Sequence, residues 1–107
     1  MAFAETDELR KMKVLTKLSG VSIPTASALL SVTHPEKYPV IDIRCVATLQ
    51  DLKKIRWTTV TYTSWISYLN AVRSIAKTGG NTARAVEKAL FAYNRLKLDK
   101  DLKNLYL

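Results

Sequence analysis

The sequence predicts an all-α fold, a small bundle of about five helices, and three observations carry that expectation. Apolar residues recur at helical spacing in successive windows. The three glycines and three prolines fall at the joints between those windows. The one run rich in β-favouring residues, Ile55 to Tyr62, has no second strand in the chain to pair with. A chain of 107 residues fits a single domain over residues 1–107, large enough for one hydrophobic core.

Thr6 reads as the N-cap of the first helix, with Asp7 and Glu8 in its favourable first turn and Leu9, Met12, Leu15 and Leu18 on its apolar face. Gly20 closes this helix in a left-handed conformation, and Pro24 suits the opening turn of the next, where a missing N–H costs nothing. The second helix covers about Thr25 to Val32 and buries Ala26, Leu29 and Leu30, while Ala26, Ser27 and Ala28 let the two helices approach closely. Thr33 to Pro39 is a loop, because each proline biases its predecessor away from helix. Val40-Ile41 would suit a short strand, but Asp42 is a good N-cap for a helix burying Cys45, Val46 and Leu49, and the helix is preferred.

Ile55 to Tyr62 is expected to be an extended connector. Thr63 or Ser64 then caps a helix to about Lys77, with Trp65, Ile66, Leu69, Val72, Ile75 and Ala76 inward, stopped by Gly79-Gly80. Asn81 caps a last long helix, about Thr82 to Leu96, burying Ala85, Val86, Ala89, Leu90 and Tyr93. A short piece from Leu98 to Leu107 folds back.

Composition narrows the function classes. No stretch approaches the ~20 apolar residues of a membrane span, and the first residues lack the basic and apolar regions of a secretory signal, so a cytoplasmic protein is expected. One cysteine, Cys45, and one histidine, His34, leave no disulfide and no cysteine-rich metal centre. Seventeen Lys and Arg against nine Asp and Glu give a net charge of +8, which favours an anionic partner.

The stretch Leu18 to Ala28 gives that charge a place to act. A glycine-containing turn that feeds directly into a helix aims backbone N–H groups at solvent where the macrodipole is positive, so it can hold a phosphate without reading a base. Gly20, Val21 and Ser22 are the expected amide donors to a DNA backbone, with Lys17, Lys53 and Lys54 supplying charge. A plain helix–helix turn packed on the core is the bland alternative. Trp57, Tyr62, Trp65 and Tyr68 would stack on unpaired bases if exposed, but aromatics at helical spacing are more often core.

Leu18-Ser19-Gly20-Val21-Ser22-Ile23-Pro24-Thr25-Ala26, followed by Tyr38-Pro39-Val40-Ile41-Asp42, resembles the helix-hairpin-helix and catalytic aspartate of the endonuclease III superfamily of DNA glycosylases. In that family the hairpin typically reads L-P-G-V-G, then two residues, then T-A, with the aspartate at a fixed interval that is kept here. The likeness covers about a quarter of the chain. It implies the hairpin-containing part of the glycosylase fold and a DNA partner. It also implies a monovalent cation, K+ or Na+, on the backbone carbonyls of Thr16, Leu18 and Val21, and makes Asp42 the candidate catalytic residue beside a flipped base.

The departures from the family pattern shape the expectation. Pro24 stands where bifunctional members carry the Schiff-base lysine, so lyase chemistry at that position is excluded. Ser19 and Ser22 replace the family's proline and second glycine. Only seventeen residues precede Leu18, whereas the family builds the opposite wall of its base pocket ahead of the hairpin. The expected function is therefore sequence-independent backbone binding. A monofunctional glycosylase-like hydrolase using Asp42 is the alternative, as is a non-catalytic interaction module in which a protein partner or a second copy completes the fold. Asp42 equally serves as a plain N-cap.

Overall fold

The computed structural model describes the backbone of residues 2–106 and the side chains of residues 7–101. Five helices follow one another: α1 (Ala2–Thr16), α2 (Ile23–Thr33), α3 (Ile43–Asp51), α4 (Tyr62–Gly79) and α5 (Ala83–Tyr106). The all-α expectation holds, and no strand occurs among the described residues. Ile55 to Val60 runs as an irregular connector between α3 and α4. No described helix is long and apolar enough to cross a membrane.

One buried cluster joins the elements. Met12 of α1, Ala26 of α2, Cys45, Val46 and Leu49 of α3, Trp65, Tyr68, Leu69 and Val72 of α4, and Ala83, Val86 and Leu90 of α5 close on Tyr38 and Ile41 from the loop between α2 and α3. α3 packs chiefly on α5, and α1 packs on both α2 and α4. The short, strongly apolar loop Tyr38–Ile41 thus lies at the centre, and the helices wrap it.

Several boundaries differ from expectation. α1 already runs through Thr6, so Thr6 does not cap it, and it ends at Thr16, leaving Leu18 exposed in the turn instead of on the buried face. α2 starts at Ile23 with Ser22 as N-cap, and its inner face is Ala26, Ser27 and Ser31, with Leu29 exposed. Thr61, not Thr63 or Ser64, caps α4 by accepting from the Ser64 amide at 3.1 Å.

α5 departs most. Its cap is Thr82, whose hydroxyl accepts from the Ala85 amide, while the Asn81 amide donates back to the Ala76 carbonyl. Its buried face is Ala83, Val86, Glu87 and Leu90, so Ala85, Ala89 and Tyr93 lie outside. The fold-back expected after Leu98 does not occur, because the helix continues to Tyr106. The error has a physical cause: the inward stripe contains Glu87, a residue type that reads as surface.

Candidate nucleic-acid interface

The turn between α1 and α2 forms as its residues dictate. Lys17 and Leu18 donate to the Val14 and Leu15 carbonyls at 3.3 and 3.2 Å, tightening the last turn of α1. The Val21 amide then donates to the Leu18 carbonyl at 3.2 Å, and Gly20 sits at φ +77°. A residue with a side chain avoids that left-handed region, so glycine is what permits the reversal. Val21 and Ile23 tuck their side chains against the core and fix the turn on the globule.

This geometry sorts the expected donors. The Val21 amide closes the turn and is not directed outward, so it is not one of the amides left open to solvent. Gly20 and Ser22 are exposed, and their amides have no partner among the described residues. The Ser22 side chain caps no amide of α2; it meets the Thr25 hydroxyl at 3.2 Å instead. α2 also has no acidic residue in its first turn. The other interior helix starts differ, since Asp42, Thr61 and Thr82 each accept from an amide of the helix they precede. The α2 terminus therefore keeps its positive end open.

Lys17 is exposed at the turn. Beside it, the Thr16 hydroxyl donates to the Met12 carbonyl at 2.9 Å and meets the Tyr62 hydroxyl at 2.8 Å, and the Lys13 ammonium lies 5.7 Å from the Tyr62 ring centre. Tyr62, 37 % exposed, is thus the one aromatic of the expected four that borders the turn on the surface. Trp65 and Tyr68 are core, and Trp57 is half-buried with its indole N–H on the Ser67 hydroxyl. Lys53 and Lys54 lie elsewhere, just past the C-terminus of α3, with their amides on the Gln50 and Leu49 carbonyls. No described contact joins them to the turn. The carbonyls of Thr16, Leu18 and Val21 line the turn, that of Leu18 already accepting from Val21.

Asp42 caps α3: its Oδ1 accepts from the Arg44 amide at 2.7 Å. The segment leading to it is held from three helices at once. Ser27 of α2, fully buried, donates to the Pro24 carbonyl at 2.7 Å and accepts from the Ile41 amide at 2.9 Å. Tyr68 of α4 donates to the Val40 carbonyl at 2.7 Å, and Glu87 of α5 accepts from the Val40 amide at 2.8 Å. Arg84 donates to the other Glu87 oxygen at 2.6 Å, so the buried carboxylate is paired. Ser27 stands little more than one turn from the start of α2, so this bond ties the segment before Asp42 to the first turns of that helix.

Burial dominates the chemistry of this network. It pushes the Cys45 thiol up from 9.0 to about 12 and raises the Tyr68 phenol as well, so both stay neutral. On the far side, Tyr38 donates to Glu8 at 3.1 Å and accepts from Lys11 at 3.0 Å, which, with Glu8 close by, raises the Lys11 ammonium. Arg73 stacks over Tyr38 at 5.1 Å and donates to the Lys37 carbonyl. Sequence reading missed the roles of Ser27 and Glu87. Only Ser27 carried a signal, as a small residue in an otherwise apolar helix face. Among the described residues no group of His, Cys, Asp and Glu is placed to hold a metal ion.

Comparison with protein-family models, curated proteins and solved structures finds no match to this chain.

Proposed function

We propose that this chain binds the backbone of nucleic acid, DNA in the first instance, without reading sequence, through a helix-hairpin-helix formed by α1, the turn and α2. The observation that carries the reading is the open N-terminus of α2, uncapped by side chain or acid where α3, α4 and α5 are capped. A phosphate accepts there from the Gly20 and Ser22 amides, and Lys17 and Lys13 neutralise it. Tyr62 borders the same surface and packs against a sugar or an unpaired base. A K+ or Na+ ion on the Thr16, Leu18 and Val21 carbonyls would stiffen the turn and add positive charge facing the phosphate. The net charge of +8 supports the choice of an anionic partner.

Asp42 enters this reading as a cap. Its carboxylate is committed to the Arg44 amide, so no chemistry is assigned to it. Lys53 and Lys54 contribute to the long-range field and not to the phosphate contact.

Fluorescence anisotropy with a labelled duplex tests the proposal. Two cationic contacts with the backbone, from Lys13 and Lys17, give a slope of log K against log salt of about −1.8, so affinity falls roughly 12-fold between 50 and 200 mM salt. Lys17→Ala lowers the slope by about 1 for every duplex sequence. Absence of binding at low salt, or binding indifferent to salt, overturns the reading.

A further inference from the structure

α1 carries a second, largely apolar surface beside the turn, sharing Lys13 and Lys17 with it. Val14, Leu15 and Leu30 form the apolar floor of an open groove of about 400 Å³ between α1 and α2, with Asp7, Arg10 and Lys11 on its rim. A neighbouring hollow shares Arg10 and Val14 and adds Lys13 and Lys17. Val14, at the junction, is 58 % exposed. Among the described residues the groove and its neighbouring hollow together hold four cations, Arg10, Lys11, Lys13 and Lys17, against Asp7, and Lys11 is also paired with Glu8. Glu8 accepts from Tyr38 at 3.1 Å, with Lys11 and Arg73 at 3.9 and 3.8 Å.

We propose that this groove docks an amphipathic helix of a partner protein, one with an apolar stripe flanked by acidic residues. The apolar floor takes Val14 and Leu15 from α1 and Leu30 from α2, and a cleft between two helices is where a third sets its apolar anchors. The basic rim matches acidic flanks, adding association rate and orientation to the apolar contact. A second copy of this chain fits poorly, since it would bring another +8 to an already basic rim. A lipid surface fits poorly too, because membrane binding needs a protruding apolar face and this one is concave. Arg10, Val14, Leu15 and Leu30 belong to the groove and not to the turn, whereas Lys13 and Lys17 border both, so peptide and duplex share those two cations.

The test titrates the isotopically labelled full chain with a synthetic helical peptide of about four turns, built from Leu at helical anchor spacing with Glu on the flanks. Amide shifts are expected at Arg10 to Leu15 and around Leu30, with Gly20 and Ser22 unmoved. Val14→Asp and Arg10→Glu, both at surface positions, each weaken binding at least about tenfold. A peptide with Lys for Glu, or with the Leu order scrambled, binds correspondingly less. The proposal is overturned if the groove resonances stay still, if the Lys peptide binds equally, or if the variants leave affinity unchanged. It is also overturned if the same resonances move with protein concentration alone, with anionic vesicles but not the peptide, or only with duplex DNA. Loss of DNA binding with retained peptide binding leaves this inference standing while the function proposed above fails.

Discussion

Ser27 and Ser31 lie one turn apart on the buried face of α2, at 0 % and 3 % exposure, and replacing each by alanine separates hydrogen bonding from burial. The Ser27 hydroxyl satisfies the Ile41 amide, itself in a residue 1 % exposed, while the Ser31 hydroxyl has no partner among the described residues. Ser27→Ala strands a buried N–H, at a cost of about 1–3 kcal/mol. The Pro24 carbonyl lies within α2, where it remains an intrahelical acceptor. Ser31→Ala removes a hydroxyl that gains nothing from the fold, so stability is unchanged or rises by up to about 1 kcal/mol. Both changes gain the same helix propensity, so the difference between them isolates the hydrogen bond. Urea unfolding with m-values of about 1–3 kcal/mol/M then lowers the Ser27→Ala midpoint by roughly 1 M while leaving Ser31→Ala at or above the parent. Hydrogen exchange at Ile41 accelerates only in Ser27→Ala. Two variants within about 0.5 kcal/mol of each other would refute the reasoning.

Gly20→Ala meets no neighbour within 4 Å, so its whole effect is the cost of φ +77°, about 1 kcal/mol in chemical denaturation; an unchanged midpoint contradicts that account. Asp42→Ala destabilises by about 1 kcal/mol through loss of the α3 cap, and Asp42→Asn by much less. Base release from a damaged duplex that disappears in Asp42→Asn would overturn the assignment of Asp42 to capping alone. Burial holds the Cys45 thiol neutral to about pH 12 in the folded chain, whereas the unfolded thiol ionises from about 9. Stability is therefore full below about pH 9 and falls as pH rises toward 12. Cys45→Ala removes part of that fall, up to about 4 kcal/mol by linkage, as read from unfolding midpoints across alkaline pH. The native thiol likewise reacts with a disulfide reagent only at the rate of unfolding.

Residues whose role is local were legible in the sequence. Asp42 followed by a helical pattern gave a cap, Gly20 gave the left-handed turn, and Gly79-Gly80 ended α4 with Gly80 at φ +67°. The connector from Ile55 was recognised because a strand requires a partner. The candidate interface was half legible. The motif marked the turn, but which amides face outward depended on Val21 bonding back to Leu18. That Lys53 and Lys54 lie apart from the turn while Tyr62 borders it depends on how α3 and α4 pack.

The sequence by itself determined the all-α class, the approximate placing of five helices and the turn that opens α2, because spacing, caps and glycine φ preferences act within a few residues of chain. Tertiary structure decided that Ala83 and Glu87, not Ala85, Ala89 and Tyr93, join Val86 and Leu90 on the inward side of α5, and why Ser27 and Glu87 are buried. Both satisfy backbone amides of the loop at residues 40–41, and a polar side chain enters a core only where a distant segment presents the group it must bond.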